Sequence, residues 1–168
     1  MTVANCNDEK REREGCIYIS LTTVLTAVQN VVDPEKVYQT LGETLATQGL
    51  HNIVLECPEE TMKIIWLSLP SPLEESIEEL QGTPLLKREF SVEHIPHCER
   101  IKKGEIVFCS SEQVFPPILG VSQKLLESVL PAYAMLVPIL DHWLLLVASD
   151  DLTAEDCAAF SVFREALE

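Results

Sequence analysis

The C-terminal segment 132–168 constrains the fold most, because it contains two apolar runs separated by a very short polar turn. The runs cover 132–140 and 143–148, with Asp141 and His142 between them. Neither run is long enough to cross a bilayer, and two apolar runs joined by two polar residues are typical of a β-hairpin. Because nearly every position is apolar, we expect both faces of this hairpin to be buried.

A capped helix is predicted directly after the hairpin. Ser149, Asp150 and Asp151 interrupt the apolar pattern, and Thr153 precedes Asp156 by three residues. At that spacing the two side chains can bond to free backbone amides at the start of a helix. The apolar positions that follow have helical spacing: Cys157, Phe160, Phe163 and Leu167.

This order of strand, turn, strand and capped helix resembles the end of a GAF domain, the small sensory module of histidine kinases, cyclases and phosphodiesterases. The residues that carry the resemblance are Val137-Pro138-Ile139, the Asp141-His142 turn, the strand 143–148, and Leu152 to Asp156. A second segment, Lys103-Gly104-Glu105-Ile106-Val107, resembles the glycine-led start of an earlier strand in the same family.

The N-terminal half of the chain predicts two helices, a hairpin and a third helix. Apolar residues recur at three- and four-residue intervals over 17–32, and Asp33 and Pro34 then provide the N-cap and first position of a helix that ends near Gly49. The β-rich runs 52–57 and 61–69 flank a turn. Ser71 and Glu74, with Pro72 between them, predict a capping box for a short helix that ends near Gly82.

The middle of the chain predicts shorter elements. Residues 86–92 form a weak strand candidate, 96–103 a helical turn closed by Gly104, and 105–109 a strand. Pro116 and Pro117 are expected to open the helix that leads to the final hairpin.

The fold class predicted from this order is α+β, because runs of strands between helices argue against strict βαβ alternation. We expect a single central antiparallel sheet of five or six strands with helices on both faces, and N- and C-terminal helices packed together, in the manner of GAF and PAS domains. Residues 1–16 are expected to form a polar, disordered leader, since 7–14 are almost all charged. Residues 17–168 then form one GAF-like sensory domain.

The charge balance disfavours some partners. Aspartate and glutamate number 27 against 12 lysine and arginine residues, a formal net charge of −15. Such a surface repels nucleic-acid phosphates and anionic lipid. No apolar run is long enough to span a membrane, and the first 16 residues lack the apolar stretch of a signal peptide, so a cytoplasmic location is expected.

The six cysteines are expected to be free thiols, mostly buried. They lie far apart in a chain long enough to build its own core, whereas disulfide frameworks belong mainly to small secreted domains. Cys98 and Cys109, with His94 and His97 nearby, form the one cluster that could carry chemistry. Their spacing does not fit a structural zinc site, so no metal site is predicted.

The GAF resemblance implies a ligand site between the sheet and segment 86–130. We therefore expect seven residues to contribute to it: His94, His97, Cys98, Phe108, Cys109, Phe115 and Tyr133. A histidine there could ligate haem, as in some GAF sensors, but no residue is singled out and the cofactor stays unassigned. Cyclic GMP is disfavoured because the Asn-Lys pair of cyclic-nucleotide-binding relatives is missing, and a bilin because 122–129 contains neither cysteine nor histidine.

Two functions are compatible with these patterns. The first is a non-catalytic regulatory domain of a larger signalling protein, such as one of a two-component system. It would bind a small ligand or relay a signal through a homodimer formed by its terminal helices, with any enzyme activity in an attached output domain. The alternative is a thiol-dependent redox enzyme that uses Cys98 and Cys109, as in GAF-fold methionine sulfoxide reductases, although their Gly-His-Ile-Ala-Cys-Asp-like segment is missing.

Overall fold

Six antiparallel strands form one sheet at the centre of the part of the chain that the structure describes. The structure is a computed structural model; it describes the backbone of residues 3–140 and 142–168, and side chains from Cys16 onward within those ranges. The strands are β1 His51–Glu56, β2 Thr61–Ser68, β3 Glu89–Ser91, β4 Val107–Ser110, β5 Tyr133–Ile139 and β6 Trp143–Ser149. Their order in the sheet is β3-β2-β1-β6-β5-β4.

Helices cover both faces of this sheet. They are α1 Val3–Gln29, α2 Val37–Thr47, α3 Ser71–Gln81, α4 Cys98–Lys102, α5 Ser111–Leu119, α6 Gln123–Leu126 and α7 Cys157–Leu167. Three short 3-10 helices lie at Pro34–Lys36, Val92–His94 and Ala154–Asp156. The predicted α+β class and the antiparallel sheet are therefore confirmed.

Strands from distant parts of the sequence meet at the centre of the sheet. β1 pairs with β6 from His51 opposite Ala148 to Glu56 opposite Trp143. β5 and β6 form the predicted hairpin, and both are buried along nearly their whole length, as their continuous apolar sequence predicts.

The first face of the sheet is covered by α3, α4, α5 and α6. Phe115 and Ile118 of α5 have no exposed surface there, and Ile77 of α3 is equally buried. These side chains belong to the buried core on this face of the sheet.

The second face is covered by α1, α2 and α7. Leu45 of α2 and Val24 of α1 are fully buried, and Phe160 and Phe163 of α7 meet edge to face with ring centroids 6.5 Å apart. α1 contacts both α2 and α7. The predicted packing of the N- and C-terminal helices is confirmed.

One contact on this face fixes α2 against β2. The indole of Trp66 lies over Gly42, where an added Cβ would be 2.0 Å from Trp66 Nε1. The fully buried Asn52 donates from Nδ2 to the Gly42 carbonyl at 3.0 Å and to the Leu50 carbonyl at 3.1 Å. α2 can approach the sheet this closely because it has glycine at that position.

Two of the predicted helix starts are confirmed. Asp33 Oδ1 accepts from the Glu35 amide at 3.0 Å ahead of α2. The Thr153 amide donates to Asp156 Oδ2 at 2.8 Å ahead of α7, within a capping box. Both caps depend on side chains that reach amides only two or three residues away.

Two predicted helix starts are wrong. α3 begins one residue earlier than expected, with Pro70 as N-cap and no side-chain cap, so the Ser71 capping box does not form. α5 begins at Ser111, after Ser110 whose Oγ accepts from the Glu112 amide at 3.3 Å, and Pro116 and Pro117 lie inside the helix.

The first helix also differs from its prediction at both ends. It begins at Val3, so the backbone of residues 7–14 is helical although we expected a disordered leader. It ends at Gln29, and Val32, expected on the buried face, is 97% exposed. The division of the chain into a leader and a domain at residue 16 stays a prediction.

Candidate functional site

The seven predicted ligand-binding residues do not line one pocket. Phe108 and Cys109 are neighbours in β4, so their side chains lie on opposite faces of the sheet: Phe108 packs with the α1, α2 and α7 layer and Cys109 with the α3 to α6 layer. Phe115 is part of the filled core and has no exposed surface.

The other four predicted residues lie near or at the surface. His94 and His97 are exposed, and His97 has a left-handed backbone conformation (φ 62°) just before α4. Cys98 is half-buried against the core of the first face, and Tyr133 is 42% exposed. Whether any of the seven binds a ligand stays a prediction.

Cys109 is poorly suited to thiol chemistry. Burial raises the pKa of its thiol to about 11. At pH 7 such a thiol is ionised in about one molecule in ten thousand, and the thiolate is the reactive form. Burial is also the main cause of the raised pKa values of Cys57 and Cys157. This environment disfavours Cys109 as the reactive thiol of the redox alternative.

A cavity of about 470 Å³ lies at the β4–β5 end of the sheet. It is formed by the end of β4, the start of α5, helix α6, the segment leading into β5, and the loop after β6. The lining residues are Ser110, Ser111, Glu112, Gln123, Leu126, Glu127, Leu130, Pro131, Ala132, Tyr133 and Asp150. Tyr133 is thus the one predicted site residue that lines this cavity.

Hydrogen bonds of backbone and side-chain groups hold the parts of the cavity together. The Ser111 amide donates to the Ala132 carbonyl at 3.0 Å, and the Ala132 amide donates to Asp150 Oδ1 at 2.7 Å. These two hydrogen bonds join the start of α5 to the segment before β5, and that segment to the loop after β6. Gln123 of α6 donates from Nε2 to Glu112 Oε2 at 3.1 Å and joins α6 to α5.

The polar groups of the cavity are acidic or neutral. Glu112, Glu127 and Asp150 contribute carboxylates, and the lining contains no lysine, arginine or histidine. Ser111 is 2% exposed, and its Oγ has no hydrogen-bond partner among the residues that the structure describes. A buried hydroxyl without a partner is costly, which makes it a candidate for a ligand contact.

The side chain of Tyr133 links the cavity to the second face of the sheet by packing contacts. Its ring stacks on that of Phe108 with centroids 5.5 Å apart and an interplanar angle of 28°. Phe108 in turn packs with the layer formed by α1, α2 and α7. Tyr133 therefore touches both the cavity and the helix layer.

Sequence reasoning missed the rest of the cavity because its residues come from four separate segments without a shared motif. A usable signal was the Ser110-Ser111-Glu112 sequence after a β-rich run, since serine two residues before glutamate is a favourable helix start. That signal would have placed the start of α5 beside the end of β4.

A metal centre and a membrane span are both missing from the described part of the chain. No three histidine, cysteine, aspartate or glutamate side chains there lie close enough to hold a metal ion. No helix among the described residues has the length and apolar character needed to cross a membrane.

Comparison with known proteins gives a match in fold. No protein-family model matches the chain, and no curated protein does. Among solved structures, the phycoerythrobilin-bound GAF domain from a cyanobacterial phytochrome is similar, with a TM-score of 0.52 at 16% sequence identity. The likeness covers 90% of this chain and 91% of that one.

The chain is therefore a GAF-like domain by its fold, and the predicted resemblance is confirmed at that level. The structural likeness extends over almost the whole length of both chains, whereas the resemblance in sequence is confined to the segments 103–107 and 137–156. At 16% identity the likeness shows the fold alone, and the pigment belongs to the phytochrome.

Proposed function

We propose that this chain is a non-catalytic regulatory sensor domain of GAF type within a larger signalling protein. A small molecule bound in the cavity beside Tyr133 would change the packing of the terminal helices, which pass the signal on. The observation that carries the proposal is the position of Tyr133, which lines the cavity and stacks on Phe108 against the helix layer. The solved GAF domain with a bound small molecule supports it.

A second connection from the cavity leads to α7. Asp150 lines the cavity, and Leu152, two residues later, is buried in the helix layer just before the Thr153 capping box. Arg164 of α7 donates from Nη1 to the Gly104 carbonyl in the loop before β4. Both ends of α7 are thus held by loops of the sheet, so a shift of either loop would move the helix.

The exposed face of α1 supports a homodimer as the output. Residues 16–32 contain no charged side chain, although the chain as a whole carries a net charge of −15. Tyr18 and Ile19 are 45% and 68% exposed. The hydroxyls of Thr22, Thr23 and Thr26 donate hydrogen bonds to carbonyls four residues earlier in the same helix. These three hydroxyls would therefore keep their partners if this face were buried.

The main apolar stripes of the two terminal helices are not available for this dimer surface. The stripe of Leu21, Val24 and Val28 is buried against the rest of the domain, as are Phe160 and Phe163. Among the side chains that the structure describes on these two helices, the exposed large apolar ones are Tyr18 and Ile19 on α1 and Val162, 57% exposed, on α7. We place the interface on these outward-facing positions.

Sedimentation velocity over a hundredfold range of concentration tests the dimer. We expect the wild type to associate and Ile19→Glu to be monomeric, because a buried carboxylate is costly. The matched control is Leu80→Glu on α3, which introduces the same charge at a residue with the same 68% exposure. A wild type that is monomeric throughout, or equal behaviour of the two variants, would contradict the dimer.

Thermal shift measurements with metabolite-sized amines, carboxylates and neutral sugars test the ligand role. At least one of the three classes should raise the Tm of the wild type. The same compound should raise the Tm of Tyr133→Ala by less. Tyr133 is 42% exposed, so this variant should fold. If no class shifts the Tm of the wild type, the sensor proposal fails.

A covalently attached bilin is not part of the proposal. Ser122 to Val129 contains neither cysteine nor histidine, and Cys109 lies within the core of the first face. An absorption spectrum with native mass spectrometry of the freshly purified protein checks this point: visible absorption with added mass on a cysteine would contradict it.

A further inference from the structure

The acidic cavity has the chemistry of a site for a small organic cation. Resting on the sensor function above, we infer that its ligand is a monovalent ammonium compound with an apolar or aromatic body. Four features lead to this class: the charge of the polar groups, the apolar part of the lining, the state of the α5 amides, and the hydroxyl of Ser111, which has no partner among the described residues.

The charge of the lining selects for a cation. Glu112, Glu127 and Asp150 bring three carboxylates to one cavity whose lining contains no basic side chain. Gln123 and the Ala132 amide already donate to Glu112 and Asp150, whereas Glu127 has no hydrogen bond or ion pair to its carboxylate among the described residues. A cationic ligand placed beside these carboxylates is attracted to them, whereas an anionic ligand is repelled.

The apolar part of the lining selects for an organic ion. Leu126, Leu130, Pro131 and Ala132 line the cavity together with the ring of Tyr133. The negative face of an aromatic ring attracts an ammonium group, and the partly exposed ring of Tyr133 can supply such a contact. The carboxylates also do not form one of the compact clusters that hold a metal ion.

The start of α5 does not offer an anion site. The amides at a helix N-terminus can bind anions when they are free. Here the Ser111 amide donates to the Ala132 carbonyl and the Glu112 amide to Ser110 Oγ. The Glu112 carboxylate in the first turn already complements the positive end of the helix dipole.

Ser111 supplies one orienting group. It lines the cavity at 2% exposure, and its Oγ has no partner among the described residues. A hydroxyl can accept from an ammonium N–H, so a primary ammonium would satisfy this atom where a quaternary one would not. The cavity volume of about 470 Å³ falls within the usual range for small-molecule sites.

Isothermal titration calorimetry with three compounds of similar size and shape tests the inference. Phenethylammonium, 2-phenylethanol and phenylacetate share an aromatic ring and differ in charge. We expect phenethylammonium to bind at least tenfold more tightly than 2-phenylethanol, and phenylacetate to bind most weakly. The preference should decrease at high salt, because the attraction is between charges.

Three variants locate the binding. Glu127→Gln should weaken phenethylammonium about tenfold and leave 2-phenylethanol unchanged. The control Glu165→Gln removes the same charge from an exposed position of α7 outside the lining and should change neither. Ser111→Ala should weaken phenethylammonium and leave benzyltrimethylammonium unaffected.

The outcomes separate this inference from the sensor proposal. If 2-phenylethanol or phenylacetate binds as well as phenethylammonium and Tyr133→Ala weakens it, the cation inference fails and the sensor proposal stands. If Glu127→Gln and Glu165→Gln weaken phenethylammonium equally, the cation binds elsewhere and the inference fails. If neither these probes nor any class of the thermal shift panel binds, both fail.

Discussion

Trp66 occupies the space that a side chain on Gly42 would need. Alanine is ordinarily better than glycine in a helix by about 1 kcal/mol. Here, however, its Cβ would be 2.0 Å from Trp66 Nε1, and the rigid indole cannot move without disturbing the helix layer. We predict that Gly42→Ala lowers the free energy of unfolding by about 1–3 kcal/mol, the usual cost of overpacking, as measured by urea denaturation.

Trp66→Val provides the matched background for that substitution. With the indole removed, Gly42→Ala should become neutral or stabilising, because only the helix propensity remains. An equal loss in both backgrounds would show that the indole is not the cause.

Cys109 and Cys16 should differ sharply in reactivity. Cys109 is 7% exposed with a pKa raised to about 11, whereas Cys16 is exposed. We predict that iodoacetamide at pH 7.5 alkylates Cys16 in the native protein and leaves Cys109 unmodified until the chain is unfolded in urea. Peptide mapping by mass spectrometry measures both sites. Rapid native labelling of Cys109 would restore the thiol-enzyme alternative.

The same thiol predicts a pH dependence of stability. Its pKa is higher in the folded state than the ordinary value of 9.0, so the unfolded chain releases this proton first as the pH rises. The stability contributed by Cys109 should therefore be constant below about pH 9 and fall between about pH 9 and 11. In unfolding measurements under reducing conditions, Cys109→Ala should show a smaller decline over that interval. An identical decline would contradict the prediction.

At the level of elements, the C-terminus of α5 is held by side chains from α3 and from the segment before β3. Arg88 donates from Nε to the Ile118 carbonyl at 3.1 Å, and Gln81 donates from Nε2 to the Leu119 carbonyl at 2.7 Å and the Gly120 carbonyl at 3.1 Å. Terminal carbonyls of a helix have no partner within it, so these bonds replace water at a partly buried end.

We predict that Arg88→Met destabilises the protein by about 1–3 kcal/mol, because it leaves a carbonyl without its partner at the negative end of the helix. Arg88→Lys should recover only part of this loss, since an ammonium cannot reproduce the guanidinium geometry. The control Lys87→Met removes the same charge from the exposed neighbour and should be nearly silent in thermal unfolding. Equal destabilisation by both substitutions would indicate that the loss of a positive charge, and not the loss of the hydrogen bond to α5, is the cause.

The helix starts show which features could be predicted from the sequence. Asp33 and the Thr153–Asp156 pair were correct because each cap needs only residues a few positions apart. Ser71 failed because α3 starts one residue earlier: the Leu73 amide donates to the Pro70 carbonyl at 2.9 Å, so Ser71 is already inside the helix. Where two starts compete within one turn, local patterns do not decide between them.

The candidate site was harder to predict for a different reason. Alternation along a strand already requires Phe108 and Cys109 to face opposite sides, so their separation could have been predicted. The meeting of Ser111, Glu127 and Asp150 could not, because it depends on how α5, α6 and the loop after β6 pack around the end of the sheet.

For the molecule as a whole, the net charge of −15 should make stability dependent on salt. Like charges on a compact surface repel one another more than they do in an expanded chain. We predict that raising NaCl from 10 to 500 mM increases the Tm, because the Debye length falls from about 30 Å at the lower concentration to well under 10 Å at the higher. Differential scanning calorimetry measures this effect.

A charge-reducing variant separates screening from other effects of salt. Replacing exposed glutamates such as Glu75 and Glu79 of α3 by glutamine should raise the Tm at 10 mM NaCl and reduce its salt dependence. A salt response that is unchanged in that variant would point to salting out rather than to charge repulsion.

The pairing of β1 with β6 also bears on the synthesis of the chain. β2 leaves the ribosome shortly after β1, but β6 follows only after residues 57–142 have been made. During that interval one side of β1 lacks its neighbour, and the strand carries the fully apolar sequence Ile53-Val54-Leu55. An unpaired apolar strand edge is a template for association with other chains. We therefore expect nascent chains of this protein to be most prone to association with one another until their last hairpin emerges.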